Sequence, residues 1–176
     1  MKKRVNTRLN RSLEPRLVAE WVVQTFPHGT PMYRVPLGPP PDQLRQEIGL
    51  DAALQKWRPW RPEVDAVVIE KDRLTLVEGK IFKVLDGIAK LIVYRALVPY
   101  TPELQPYANL PLRSVMVTPK PPYYEKIIAD AFGMEVVIYR PEWVLQTVEE
   151  YNKRWTAEGR LETQRRKDFL KTVGFT

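Results

Sequence analysis

Three side chains in residues 64–95, VDAVVIEKDRLTLVEGKIFKVLDGIAKLIVYR, could do chemistry together: Asp65, Glu78 and Lys80. Two carboxylates can hold a hard divalent cation, and an ammonium beside them can offset charge on a phosphate. Whether they meet is a question of pairing. Residues 64–70 and 73–81 are rich in β-branched and apolar side chains, and the charged pair Lys71-Asp72 separates them. This pattern predicts a hairpin. If it closes symmetrically about that pair, 69 faces 74 and 65 faces 78. Directly opposed residues have Cβ atoms roughly 4.5–5.5 Å apart, close enough for Asp65 and Glu78 to share one ion. Alternation puts Lys80 on the face of Glu78, with Val67, Ile69, Leu74 and Leu76 as an apolar floor behind. A slip of one residue would send every side chain to the other face, so the inference depends on the register. Opposed carboxylates repel unless a cation neutralises them, and hard oxygen ligands favour Mg2+, with Mn2+ as an alternative. The chain has no Cys and a single His, His28, which excludes a zinc site built from the usual soft ligands.

Asp65, twelve intervening residues, then Glu78-Gly79-Lys80 on a hairpin followed by a helix resembles the PD-(D/E)XK nuclease superfamily, with its restriction-endonuclease-like fold. The resemblance runs from Val64 to about Arg140. It departs from the family pattern in one place: Asp65 follows Pro62-Glu63-Val64 rather than a proline directly. The resemblance implies a metal-dependent DNA endonuclease or exonuclease without strong sequence specificity. Asp65 and Glu78 would hold the ion, the Gly79 carbonyl would be a further ligand, and Lys80 would assist hydrolysis. Lys90 and Tyr94, four apart on one helical face, match the position where the family often carries a Gln or Lys facing the site, and would contact phosphate. In many such enzymes an acid from the first helix also reaches the metal; Glu20 could be that acid or an ordinary solvent-facing one. Family members often dimerise to cut both strands, which leaves a homodimer open. The alternative is a catalytically silent nuclease-fold module for DNA binding or assembly.

Charge adds an independent hint. The net charge of +7 is concentrated at the ends. Residues 1–16 carry six Lys/Arg against one acid, and residues 153–176 carry seven against three, whereas the stretch between has 15 basic and 17 acidic groups. A near-neutral body with two basic ends could clamp a polyanion, with Lys3, Arg4, Arg165 and Arg166 among the contacts. The organisation expected is a basic arm (1–16), an α/β domain (17–157) and a basic tail (158–176). The absence of cysteine fits a reducing compartment, and no apolar run reaches the roughly 18 residues needed to span a bilayer. A soluble, cytoplasmic protein without membrane contact is the expectation.

The elements that must position the site follow from the rest of the pattern. Residues 13–26 place Leu17, Val18, Trp21 and Val22 on a helical stripe, with Pro15 in its first turn. A short strand is predicted at 32–35, then a helix capped by Asp42 that continues past Gly49 to Lys56. Next comes a doubled tripeptide, Trp57-Arg58-Pro59-Trp60-Arg61-Pro62. Arginine and tryptophan together hold phosphates and stack on bases, so Arg58 and Arg61 are candidate DNA contacts, with the indoles anchoring the loop to the core. Beyond the hairpin the sequence predicts a helix at 84–98, with Leu85, Ile88, Leu91, Ile92 and Leu97 available to the core. A strand at 112–118, a helix at 121–132, a strand at 134–139 and a helix at 141–155 follow. Strand, helix, strand with short links implies a parallel crossover. The class is therefore α/β: a mixed sheet flanked by helices, as in a restriction-endonuclease-like fold, with basic extensions at both termini.

Overall fold

The computed structural model describes residues 6–153 and 156–173, excluding the side chains of 6–12, 166, 167 and 171. The described residues form two compact units, divided between Tyr139 and Arg140. The first contains a five-stranded mixed sheet in the order β1-β2-β3-β4-β5. Its strands are β1 (Thr30–Pro36), β2 (Glu63–Ile69), β3 (Leu74–Gly79), β4 (Leu112–Thr118) and β5 (Glu135–Ile138). The first three are antiparallel neighbours, whereas β3, β4 and β5 run parallel.

The hairpin closes as its sequence predicts. Glu70 N–H donates to the Arg73 carbonyl, leaving Lys71-Asp72 as a two-residue loop. Ala66 then pairs with Val77, Val67 with Leu76, Val68 with Thr75 and Ile69 with Leu74. One step further along that register Asp65 lies opposite Glu78. The face carrying Val67, Leu74 and Leu76 is buried under α4 (Val84–Leu97), whose stripe is Val84, Ile88, Leu91 and Tyr94. Leu85, expected in the core, is half exposed, because the stripe advances by three and four residues and leaves position 85 to one side.

The opposite face is covered by α1 (Asn6–Thr25), which buries Leu17, Val18, Trp21 and Val22. Each such side chain contributes about 1.5–3 kcal/mol by leaving water. Pro15 lies inside this helix, not in its first turn. Its missing N–H removes one backbone bond without ending the element. At Gly79 a Cβ would stand 2.5 Å from Val18 Cγ2, so α1 packs on β3 at a distance only glycine allows.

Between β1 and β2 the single helix expected is broken at Gly49 (φ 79°) into α2 (Asp42–Ile48) and α3 (Leu50–Trp57). Asp42 does not cap α2. It is the first helical residue, and Arg45 binds its carboxylate. The β4–β5 crossover runs through α5 (Tyr124–Ala131), shorter than expected at both ends. It ends in a Schellman turn: Met134 N–H bonds the Ala129 carbonyl, Gly133 N–H bonds that of Asp130, and Gly133 is left-handed at φ 62°. The second unit contains α6 (Glu142–Lys153) and α7 (Ala157–Thr172). Among the described residues no helix is long and apolar enough to cross a membrane.

Candidate active site

The C-terminal end of β3 delivers Glu78, Gly79 and Lys80 to one point, with β2, α1 and α4 around it. Glu78 is fully buried. Its Oε1 accepts a hydrogen bond from Lys90 Nζ at 3.0 Å and lies 3.2 Å from Lys80 Nζ. Its Oε2 is buried with no hydrogen-bond partner. Asp65 Oδ2 accepts from the Gly79 N–H at 2.9 Å, which ties β2 to the end of β3. Burial, followed by the charge of Glu78, pushes the Asp65 carboxyl up to about 6. The repulsion expected between opposed acids is thus present.

Lys80 is buried with its ammonium among acceptors: Glu14 Oε2 at 2.8 Å, the Gly79 carbonyl at 3.0 Å and Glu78. Burial opposes its charge, but Glu78, Glu14 and Asp65 outweigh burial, so its proton is held more tightly than on a free lysine. The same balance applies to Lys90: burial opposes its charge, and Glu78, with Asp65 and Glu14, outweighs burial. Gly87 of α4 makes room: a Cβ there would stand 2.0 Å from Met116 Cε and 2.7 Å from Lys80 Cγ.

Glu14, which the sequence reading missed, is the α1 acid bonded to this cluster. One oxygen takes Lys80 and the other accepts the Ile81 N–H at 3.3 Å. Glu20 instead pairs with Arg16 one turn away, at 2.9 Å. The two acids are six positions apart, about 240° around the helix. The signal was available, since Glu14 and Val18 are four apart and Val18 faces Gly79. Glu14→Gln is therefore expected to lower any activity of the site by at least about 10-fold, and by more than Glu20→Gln does; a rate comparison of the two variants checks this.

Three acids (Glu14, Asp65, Glu78) against two ammoniums (Lys80, Lys90) leave the cluster one negative charge in excess. The orphaned Glu78 oxygen and the elevated Asp65 carboxyl both fit a cation. Among the described residues no group of three or more His, Cys, Asp or Glu could hold a metal ion. A smaller protein set, Asp65, Glu78 and the Gly79 carbonyl, suits Mg2+, which binds through one or two carboxylates and keeps several waters or phosphate oxygens.

The other sequence candidates are placed differently. Tyr94 is on the face of α4 that carries Lys90, but it is buried and donates to the Glu63 carbonyl at 2.7 Å, so its hydroxyl is engaged by backbone. Burial, with Glu78 and Asp65 next, raises its pKa well above the usual phenol value. Arg61 is no surface contact: its guanidinium is 2% exposed and forms two bonds to Glu103, at 2.6 and 2.7 Å, and one to the Pro36 carbonyl. Arg58 is exposed. Trp57 and Trp60 stack on each other, and Trp60 is 65% exposed rather than anchored in the core. Arg165 is exposed on α7; Lys3 and Arg4 lie outside the described residues, as does the side chain of Arg166.

The Arg61–Glu103 pair makes a pH prediction. Burial pushes the Glu103 carboxyl up, but the bonds and charge of Arg61 outweigh it and leave the carboxyl below its ordinary value. Its stabilising contribution is therefore present above the unfolded carboxyl pKa of about 4.3 and is lost as pH falls through the lower folded value. Arg61→Ala should cost about 2–4 kcal/mol at pH 7, and the gap to wild type should narrow in melts below about pH 4.

No family model matches the chain, and no curated protein matches it. Among solved structures it is similar to a repair endonuclease from Pyrococcus abyssi, at 17% identity and a TM-score of 0.46, over 72% of this chain and 46% of that one. It is also similar to the EndoMS protein of an EndoMS–dsDNA2 complex, at 16% identity and a TM-score of 0.45, over 73% and 45% of the two chains. The chain thus spans less than half the length of either. The fold assignment rests on the strand order and register given above.

Proposed function

We propose that this protein is a divalent-metal-dependent deoxyribonuclease of the PD-(D/E)XK type, with Asp65, Glu78 and the Gly79 carbonyl as the metal-holding set. The observation that carries this reading is the hairpin register, which one step beyond the Ala66–Val77 pair sets Asp65 opposite Glu78, with a buried Glu78 oxygen free of hydrogen bonds. Mg2+, or Mn2+ in its place, would supply Lewis-acid polarisation of the phosphate and a more acidic bound water.

The chain's own residues do the rest. Lys80, kept protonated by Glu78 and Glu14, offsets charge developing on the phosphate and positions the attacking water by hydrogen bonding. Glu14 fixes the lysine's ammonium and ties it to the backbone at Ile81. Lys90, about half exposed, pairs with Glu78 and is the second cation available to a phosphate. The exposed Arg165 and the other basic residues at both ends hold the DNA backbone without reading bases. No base-reading motif such as a helix-turn-helix is legible in the sequence, which supports weak sequence specificity.

Incubation with plasmid, linear and branched DNA, with Mg2+ or with EDTA, tests the reading. Cleavage that requires Mg2+ is expected. DNA binding without cleavage in any metal would favour the catalytically silent module instead. A homodimer acting on both strands is part of the proposal only if cleavage of plasmid yields linear product in one encounter.

A further inference from the structure

Among the described residues Arg34 is the only non-glycine residue with positive φ, at 54°. That conformation is uncommon for a residue with a side chain and clusters at functional positions. Arg34 lies in β1 between Tyr33, which pairs with Ala66, and Val35, which pairs with Val64. The register therefore sets it across from Asp65. Its guanidinium is 72% exposed and bonds Glu63 Oε1 at 2.8 Å. Glu63 lies two residues before Asp65 on β2, on the same face of the strand.

Arg58 continues the line. Its guanidinium donates to the Arg34 carbonyl at 3.3 Å and lies 4.0 Å from Glu63 Oε2. Glu63 thus holds the Arg34 guanidinium and lies near that of Arg58, which the Arg34 carbonyl also anchors, and Asp65 is the second acid acting on Arg34. Arg58 stands in the chain between Trp57 and Trp60, whose rings stack with centroids 5.0 Å apart and planes 25° from parallel. Trp60 is 65% exposed, and it lines a cleft of about 270 Å³ with Trp57, Pro41, Leu44, Glu47 and Lys56. Oriented cations followed by an open indole face match the chemistry of a single strand, whose phosphates need charge and whose unpaired bases need a stacking surface. A duplex offers the phosphates but keeps its bases stacked on one another.

We propose that Arg34, Arg58 and the Trp57–Trp60 stack form a platform for unpaired nucleotides contiguous with the Asp65–Glu78 site. The substrate class is then DNA with a single-stranded segment, and this assignment of substrate rests on the nuclease reading.

The test is anisotropy of labelled oligo(dT) and of a labelled dA·dT duplex, with the whole protein in EDTA. Wild type should bind oligo(dT) more tightly than the duplex and show quenched tryptophan emission. Trp60→Ala should weaken oligo(dT) binding by about 10-fold, with far less effect on the duplex. Arg34→Gly should weaken it with a shallower salt dependence and without lowering the melting temperature, because glycine takes positive φ freely. Oligo(dT) affinity within about 2-fold of wild type in both variants would overturn the platform. So would equal losses on duplex, or quenching by a proline-rich peptide but not by oligo(dT). Cleavage is scored separately: Mg2+-dependent cutting by a protein whose oligo(dT) binding is unchanged in Trp60→Ala and Arg34→Gly fails the platform alone. Binding that behaves as described without any cutting upholds the platform and fails the nuclease reading.

Discussion

Lys80→Ala is expected to reduce Mg2+-dependent DNA cleavage by about 100- to 1000-fold, the range for deleting one preorganised donor to a developing charge. Lys80 is also a structural cation. It is buried, and its ammonium touches Glu14, Glu78 and the Gly79 carbonyl. Removing it leaves Glu78 to Lys90 alone and Glu14 without its ammonium partner. Breaking a buried pair this way costs about 3–5 kcal/mol, less whatever Lys90 recovers. Activity must therefore be assayed below the lowered melting temperature, with far-ultraviolet circular dichroism to establish that the fold persists. A folded Lys80→Ala protein that cleaves at the wild-type rate would remove the lysine from the mechanism.

Asp65→Asn should abolish cleavage and, unusually for an active-site change, stabilise the metal-free protein. The Asp65 carboxyl is raised from 3.8 to about 6, by burial first and by Glu78 second. A raised carboxyl favours the fold in its protonated form. Stability from this group is fully present below the unfolded value and is lost as pH rises through the folded one. At pH 7 the ionised group therefore opposes folding, by about 3 kcal/mol as an upper bound, and by about 1–2 kcal/mol once partial solvent access is allowed for. Asparagine keeps an oxygen for the Gly79 N–H and discards the charge. Thermal melts in EDTA should place Asp65→Asn above wild type at pH 7, and the gap should close toward pH 4. A lower melting temperature at pH 7 would mean that the two acids do not oppose each other.

How much of this was legible in the sequence varies with how local its cause is. The hairpin register was legible because the Lys71-Asp72 loop and the apolar alternation both fix it, and Asp65, Glu78 and Lys80 follow from the register. The parallel crossover through β4, α5 and β5 was legible for the same reason. Arg61 was not. Beside Trp60 and Arg58 it reads as a surface cation, yet Glu103, distant in sequence, comes to rest over it and buries it. Glu14 was missed because Pro15 suggested a helix start where α1 is already under way. Once the helix is extended to Asn6, the face of Val18 carries Glu14 to Lys80. Arg34 shows no sequence signal at all, since its backbone conformation arises where β1 meets β2.

The claim on which the rest depends is that Asp65 and Glu78 hold one divalent ion between them. Calorimetric titration of Mn2+ into wild type, Asp65→Asn and Glu78→Gln measures this directly, without DNA. One site in wild type, lost in both variants, is the predicted result; the same binding heat in all three proteins would contradict it.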